Sequence, residues 1–368
     1  MSDCGGVGFL VNPIAGMGGR VGLHGTDGVA ADAARRLGAP VVAGQRARRA
    51  LDRLRGNGAA IRMVTVEGAM GGDLVHATNP GVQILVRSHD GPTTAADTRE
   101  AAAAMCRAGV RLILFAGGDG TARDVVDVVG TAVPVLGVPA GVKMHSGVFA
   151  VAPEAAGETA ARFLADPEGV GTDLVEVLDV KGGAPVVLAM ARVPHAPTSM
   201  QRPKAVGACS DAADLAALGR EVAEQMLPGR LYLLGPGTTV AQVNAALGVP
   251  ASLAGVDAVV DGRVVGADLA EDRLLELLNR YGGGNLVLGV IGGQGFLLGR
   301  GNQQLSLAVL DAIGADNVEI LAARSKVAGL DPPVLRVDVG DDAAQSPLAG
   351  YQRVRTGKGR SIVLRVLA

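Results

Sequence analysis

Eight consecutive residues, Gly117-Gly118-Asp119-Gly120-Thr121-Ala122-Arg123-Asp124, carry the sharpest chemical signal in the chain. They directly follow an apolar run, Val110 to Ala116, and lead into a stretch of helical composition, Thr121 to Gly130. Backbone amides at a helix start, with the helix dipole behind them, favour a bound phosphate. Glycines at 117, 118 and 120 remove the Cβ atoms that would block its approach, and Thr121 can cap the helix or bond a phosphate oxygen. An acidic residue among such amides repels phosphate unless a metal ion or a substrate hydroxyl lies between. Asp119 is therefore a candidate Mg²⁺ contact or general base, with Asp124 also among the phosphate-site candidates. The bland alternative is a tight strand-to-helix turn with an Asp cap.

Other glycine loops could share the work. Asn12-Pro13-Ile14-Ala15-Gly16-Met17-Gly18-Gly19 follows the first apolar run and offers Asn12, Gly16, Gly18 and Gly19 to the same ligand. Gly137 to Ser146 (GVPAGVKMHS) places Lys143 and His145 beside Gly141, where a cation could neutralise phosphate and an imidazole could shuttle a proton. A solvated loop pair is the equal alternative there. Gly235-Pro236-Gly237-Thr238-Thr239 is either a second anion-binding turn, through Gly237 and Thr238, or a purely structural one. Gly292-Gly293-Gln294-Gly295 and Gly299-Arg300-Gly301-Asn302-Gln303 set three side-chain amides and a guanidinium among glycines, a combination suited to ribose hydroxyls and phosphate.

The elements that must hold these loops alternate in type. Gly8–Val11, Ala60–Glu67, Gln83–Val86, Val110–Ala116 and Val133–Val138 read as strands. Asp27–Leu37, Gln45–Gly56, Thr94–Ala108 and Thr121–Gly130 read as helices. Near-continuous apolar strands alternating with helices predict a doubly wound parallel α/β sheet, ending near residue 150. From 151 to 368 the signals predict a β-rich mixed α/β domain, whose last strands are free to return to the first. Leu174–Val180 and Pro185–Val193 read as one hairpin across Lys181-Gly182-Gly183-Ala184, and Asp261-Gly262 as the type I′ turn of another.

With 368 residues the chain should hold two domains. Lys and Arg total 34 against 36 Asp and Glu, a net charge of −2, which is too balanced for a general nucleic-acid binder. Aromatic residues make up only 2%, leaving few platforms for base stacking. Cys4, Cys106 and Cys209 are scattered and lack metal or disulfide spacing, which fits a reducing compartment. The amino terminus has no basic region followed by an apolar run, and no stretch approaches a membrane span, so a cytoplasmic protein without membrane or nucleic-acid partners is expected. His24, His76, His89 and His195 show no metal-ligand spacing and read as structural, and the basic run Arg46–Arg55 reads as a solvated helix face.

The octet lacks the third glycine of GxGxxG, and no GxxxxGK[ST] is present. GGDGT after an apolar strand, preceded by the Asn12-Pro13 loop and followed by Gly137–Ser146, resembles the motif set of the NAD kinase and diacylglycerol kinase superfamily. Leu234-Gly235-Pro236-Gly237-Thr238-Thr239 and Ile291-Gly292-Gly293-Gln294-Gly295-Phe296 are similar to the branch of predicted ATP-NAD kinases that includes acetoin catabolism protein X. The resemblance covers nearly the whole chain. It implies a Rossmann-like first domain, a β-rich second domain, an active site in the cleft between them and a homo-oligomer. It further implies phosphoryl transfer from ATP or polyphosphate with Mg²⁺, in which Asp119 serves the transferred group or activates the acceptor hydroxyl. NAD, through its 2′-hydroxyl, is the expected acceptor. Ordinary NAD kinases carry an Asn-Glu pair for the nicotinamide-side ribose, whereas this sequence contains no Asn-Glu dipeptide, and Met144-His145 stands where diacylglycerol kinases show Asn-Asp. Another small hydroxylated metabolite as acceptor, or a nucleotide sensor without turnover, are the rival readings.

Overall fold

A computed structural model of the protein describes residues 6–23, 29–56, 61–76, 82–86, 93–142, 144–181, 184–196, 199–200, 211–291, 295–339 and 346–368. The chain forms two compact units, Met1–Met17 with Pro40–Pro203, and Gly18–Ala39 with Lys204–Ala368. The division thus differs from a boundary near residue 150. The helix Pro153–Ala165 packs on the helix Ala43–Arg55, which keeps it with the first unit. Gly18–Ala39 belongs instead with the second, where the Arg20 carbonyl accepts a hydrogen bond from Glu271 N at 3.2 Å.

In the first unit, β1 (Val7–Val11), β2 (Met63–Val66), β3 (Val82–Val86), β4 (Leu112–Gly117) and β5 (Val135–Pro139) form a wholly parallel sheet in the order β3-β2-β1-β4-β5. Successive strand residues point to opposite faces, so runs such as LILFAG need cover on both. One face (Phe9, Val11, Leu112, Leu114, Leu136) packs with Ala47, Leu51 and Leu54 of the helix Ala43–Arg55 and with Ala156, Ala160 and Phe163 of the helix Pro153–Ala165. The other (Leu10, Ile113, Phe115, Val135) packs with Met105 of the helix Ala95–Arg107 and with Ala122, Val125 and Val126 of the helix Asp119–Val129. Asp97 closes the start of the helix Ala95–Arg107 by accepting a hydrogen bond from Thr94 N at 2.6 Å.

An antiparallel hairpin, β6 (Thr172–Lys181) and β7 (Ala184–Pro194), completes this unit, and the two turn residues between them lie outside the described residues. Two strands are marginal alone. Val177, Ala191 and Val193 bury one face in the core that also holds Phe115, Phe149 and Val125.

In the second unit, nine strands are described: β8 (Tyr232–Leu234), β9 (Asp257–Val260), β10 (Arg263–Gly266), β11 (Asn285–Gly289), β12 (Phe296–Leu298), β13 (Val318–Leu321), β14 (Val334–Val337), β15 (Gly350–Gly357) and β16 (Arg360–Leu367). They form one mixed sheet, ordered β10-β9-β8-β11-β13-β15-β16-β14-β12. One face packs with Leu274, Leu277 and Leu278 of the helix Glu271–Tyr281 and with Leu310 and Ile313 of the helix Leu307–Ile313. The opposite face packs with Leu218 and Val222 of the helix Ala212–Glu224 and with Val243 of the helix Ala241–Leu247. Asp261 and Gly262 both have positive φ, 49° and 71°, as a type I′ turn between β9 and β10 requires. The last strands, β14 to β16, stay in this sheet. Among the described residues, no helix is long and apolar enough to cross a membrane.

Candidate functional site

Three loops meet at the carboxyl ends of β1, β4 and β5. The strand order reverses direction between β1 and β4, which is where open α/β sheets leave a binding crevice. Close backbone approach brings the loops together, and glycine permits it. Ala140 N donates to the Gly117 carbonyl at 2.9 Å, and a Cβ on Gly141 would stand 2.6 Å from Gly118 Cα. Gly16, at φ +79°, lies against the Ala140 carbonyl, which a Cβ there would meet at 2.1 Å. Asn12 Nδ2 donates to Thr121 Oγ1 at 2.9 Å, stitching the first loop to the second. Thr121 is buried, so its hydroxyl serves this joint. The first intrahelical bond of the helix Asp119–Val129 runs from Ala122 N to the Gly118 carbonyl, so the amides of Asp119, Gly120 and Thr121 precede the ladder as an anion-binding helix start does.

The Asp119 carboxylate is held from the β5 loop. Its Oδ2 accepts from His145 N at 2.7 Å, and its Oδ1 accepts from Ser146 N at 3.0 Å and Ser146 Oγ at 2.6 Å. Burial pushes its pKa up from 3.8 to about 6; the Ser146 and His145 donors work against that rise, and the charge of Asp179 on β6 adds to it. A carboxyl poised near neutrality in a crevice suits proton transfer at physiological pH. Ser146 and Asp179 are additions to the residues read from sequence. Ser146 stood in the quoted loop without a role, and only the fold brings Asp179 near.

The remaining candidates divide. Asp124 turns away from the loops: its carboxylate is buried and paired with Arg99 Nη2 at 2.6 Å and Arg123 Nη2 at 3.5 Å, which joins two helices. Arg99→Ala is expected to cost about 1–3 kcal/mol by leaving a buried acceptor short of its nearer partner. It should leave KM values unchanged, as urea unfolding and steady-state kinetics would show. At His145 the contact to Asp119 comes from the backbone rather than the imidazole. Lys143, Gly293 and Gln294 lie outside the described residues.

Gly18 and Gly19 belong to the second unit, where a Cβ on Gly19 would meet the Gln303 side chain. In the same unit Gly237 takes φ +107° and its N–H bonds the Leu253 carbonyl at 3.0 Å, with Thr238 exposed beside it. Arg300 and Asn302 are both held by protein partners. The Arg300 guanidinium is buried, lies 4.1 Å from the Phe296 ring centre and bonds Asp338 at 2.5 Å. Asn302 accepts from Gly299 N and donates to the Leu297 carbonyl, both at 2.8 Å, pinning its own turn. On the basic helix, Arg49 pairs with Glu154 at 2.6 Å and Arg53 with Glu158 at 3.4 Å, while Arg48 is exposed.

A parallel sheet of this order, with glycine loops at its switch point, is a nucleotide-binding α/β architecture. The model of the ATP-NAD kinase N-terminal domain matches residues 7–168, and that of the ATP-NAD kinase C-terminal domain matches residues 227–366. The chain belongs to the ATP-NAD kinase family, a family of phosphotransferases. No curated protein and no solved structure matches it.

Proposed function

We propose that this enzyme moves a phosphoryl group from ATP, or from inorganic polyphosphate, to the 2′-hydroxyl of NAD, giving NADP. The observation that carries the reading is the Asp119 carboxylate at the start of the helix Asp119–Val129, with a pKa of about 6. Asp119 accepts the proton of the acceptor hydroxyl as that oxygen bonds the terminal phosphorus. The bond from phosphorus to the bridging oxygen breaks, and ADP, or the shortened polyphosphate, leaves with the electron pair. The amides of Asp119, Gly120 and Thr121 receive the donor phosphates, Gly117 and Gly118 let Thr121 and the Gly141 loop pack close behind them, and Asn12 and Gly16 shape the same wall.

The donor set also suits Mg²⁺. Among the described residues there is no cluster of three or more His, Cys, Asp or Glu that would cage a cation, while Mg²⁺ in phosphoryl transfer takes most ligands from phosphate and water and one or two from carboxylates. In the alternative to proton transfer, Asp119 would hold the ion, whose charge would offset that of the phosphates.

The same reading takes the chain into the branch that includes acetoin catabolism protein X, supported by Leu234–Thr239 and Ile291–Phe296. It sets the enzyme in the cytoplasm as a homo-oligomer, supported by three scattered cysteines and by the family resemblance. The missing Asn-Glu dipeptide favours a second reading, a kinase for another small hydroxylated metabolite. The test is NADP formation by the purified chain with Mg²⁺, NAD and either ATP or polyphosphate. Product is expected; nucleotide binding without product would discard NAD as acceptor.

A further inference from the structure

Ser146 is fully buried, and three hydrogen bonds fix its hydroxyl and amide. Leu178 N on β6 donates to Ser146 Oγ at 2.9 Å, occupying its acceptor side. The hydroxyl proton then has two possible acceptors, Asp119 Oδ1 at 2.6 Å and the Leu178 carbonyl at 3.3 Å. The shorter, charge-assisted bond to the carboxylate wins. A second contact ties the same loop to β6, since Gly147 N donates to the Glu176 carbonyl at 3.0 Å. The β6–β7 hairpin therefore sets where the Ser146 hydroxyl points.

The consequence falls on the two oxygens of Asp119. Oδ1 takes two donors, from Ser146 N and Oγ, and so has its lone pairs filled. Oδ2 takes one donor, from His145 N, and keeps one acceptor site among the described residues. We propose that Ser146 is a positioning residue, braced by the hairpin, which fills Oδ1 and so presents Oδ2 of Asp119 as the oxygen that meets the acceptor hydroxyl or its metal. This deepens the phosphotransfer reading and rests on it. Ser146 touches neither substrate nor phosphate; it acts through Asp119.

Two measurements on the full chain test this. In steady-state assays, Ser146→Ala should lower kcat roughly ten- to a hundredfold, with KM for donor and acceptor within about twofold, because the reacting oxygen is misplaced while binding is not. Ser146→Cys keeps the volume and a weak donor and should fall between, which covers the case of an alanine variant that fails to fold. In an Asp119→Asn background, Ser146→Ala should change the residual rate little, whereas a merely structural serine would lower the rate equally in both backgrounds.

The second measurement needs no turnover. With aspartate ¹³C-labelled at the side-chain carboxyl, the infrared difference between the protein and its Asp119→Asn variant isolates the Asp119 carboxylate band. That band should shift in Ser146→Ala at a pH where Asp119 is ionised. An unmoved band, an unchanged kcat or equal losses in both backgrounds would overturn the assignment. If the unmutated chain makes no NADP, the acceptor reading falls and the carboxylate band alone decides the role of Ser146.

Discussion

Asp119→Asn should lower kcat for NADP formation by roughly two to four orders of magnitude, the range a positioned general base supplies. The amide cannot take the acceptor's proton, and with its oxygen turned to Ser146 its Nδ2 faces the His145 N–H, two donors where the carboxylate gave an acceptor. Because volume is conserved, the fold should survive, and circular dichroism of the variant should match that of the unmutated chain. The pH profile is a separate check. With Asp119 at about 6, kcat/KM should rise with pH and reach half its plateau near pH 6, and the residual rate of Asp119→Asn should lack that limb.

The linkage has a definite sign. The folded pKa lies above the ordinary carboxylate value of 3.8, so between 3.8 and about 6 the native state holds the proton more tightly, and stability falls as pH rises through that window. A shift of this size corresponds to about 3 kcal/mol as an upper bound, since Asp119 is only partly buried. Urea unfolding at several pH values should show this loss in the unmutated chain and not in Asp119→Asn. A near-wild-type rate in the variant, or a limb that persists in it, would sink the role given to Asp119.

The parallel sheet was legible because its evidence is local. Runs such as LILFAG and VGFLV are long enough to show burial on both faces, and the glycine spacing of 117, 118 and 120 marks its turn wherever the chain goes next. The elements that escaped notice lack such marks. β12 is three residues, and β15 reads GYQRVRTG, whose polar and charged positions hide a single deeply buried valine, Val354.

Among the site residues, the direction in which Asp124 points can be worked out from the helix alone. Five residues beyond Asp119 at 100° each, it lies about 140° around the helix and so points to the helix Ala95–Arg107. The Arg300 ion pair is hidden: its partner Asp338 is 38 residues away, and nothing local announces the pair. The role of Ser146 was hidden in the same way, because Leu178, which orients it, lies 32 residues downstream on a hairpin that only the fold brings back.

Gly141 is the position where this convergence can be broken without touching a charged group. A Cβ there would lie 2.6 Å from Gly118 Cα and 3.3 Å from Gly118 N. Both neighbours are backbone, so no rotamer change relieves the clash, and the β4 and β5 loops must separate. Gly118 precedes Asp119, and the Gly141 loop carries the His145 and Ser146 amides that hold it, so any separation falls on the carboxylate's own hydrogen bonds. Gly141→Ala should therefore lower kcat by about a hundredfold, the cost of misplacing reacting groups by around an ångström. It should also cost about 1–3 kcal/mol of stability through overpacking.

Gly130→Ala supplies the contrast. That residue ends the helix Asp119–Val129 at φ 52° and ψ −125°, outside the left-handed helical region, with nothing within 4 Å of a Cβ, so the change should cost about 1–3 kcal/mol of backbone strain alone and leave kcat unchanged. Thermal unfolding and steady-state kinetics of the two variants side by side separate a loss of stability from a loss of geometry. If Gly141→Ala were destabilised like Gly130→Ala yet fully active, close approach of the two loops would not be what aims Asp119.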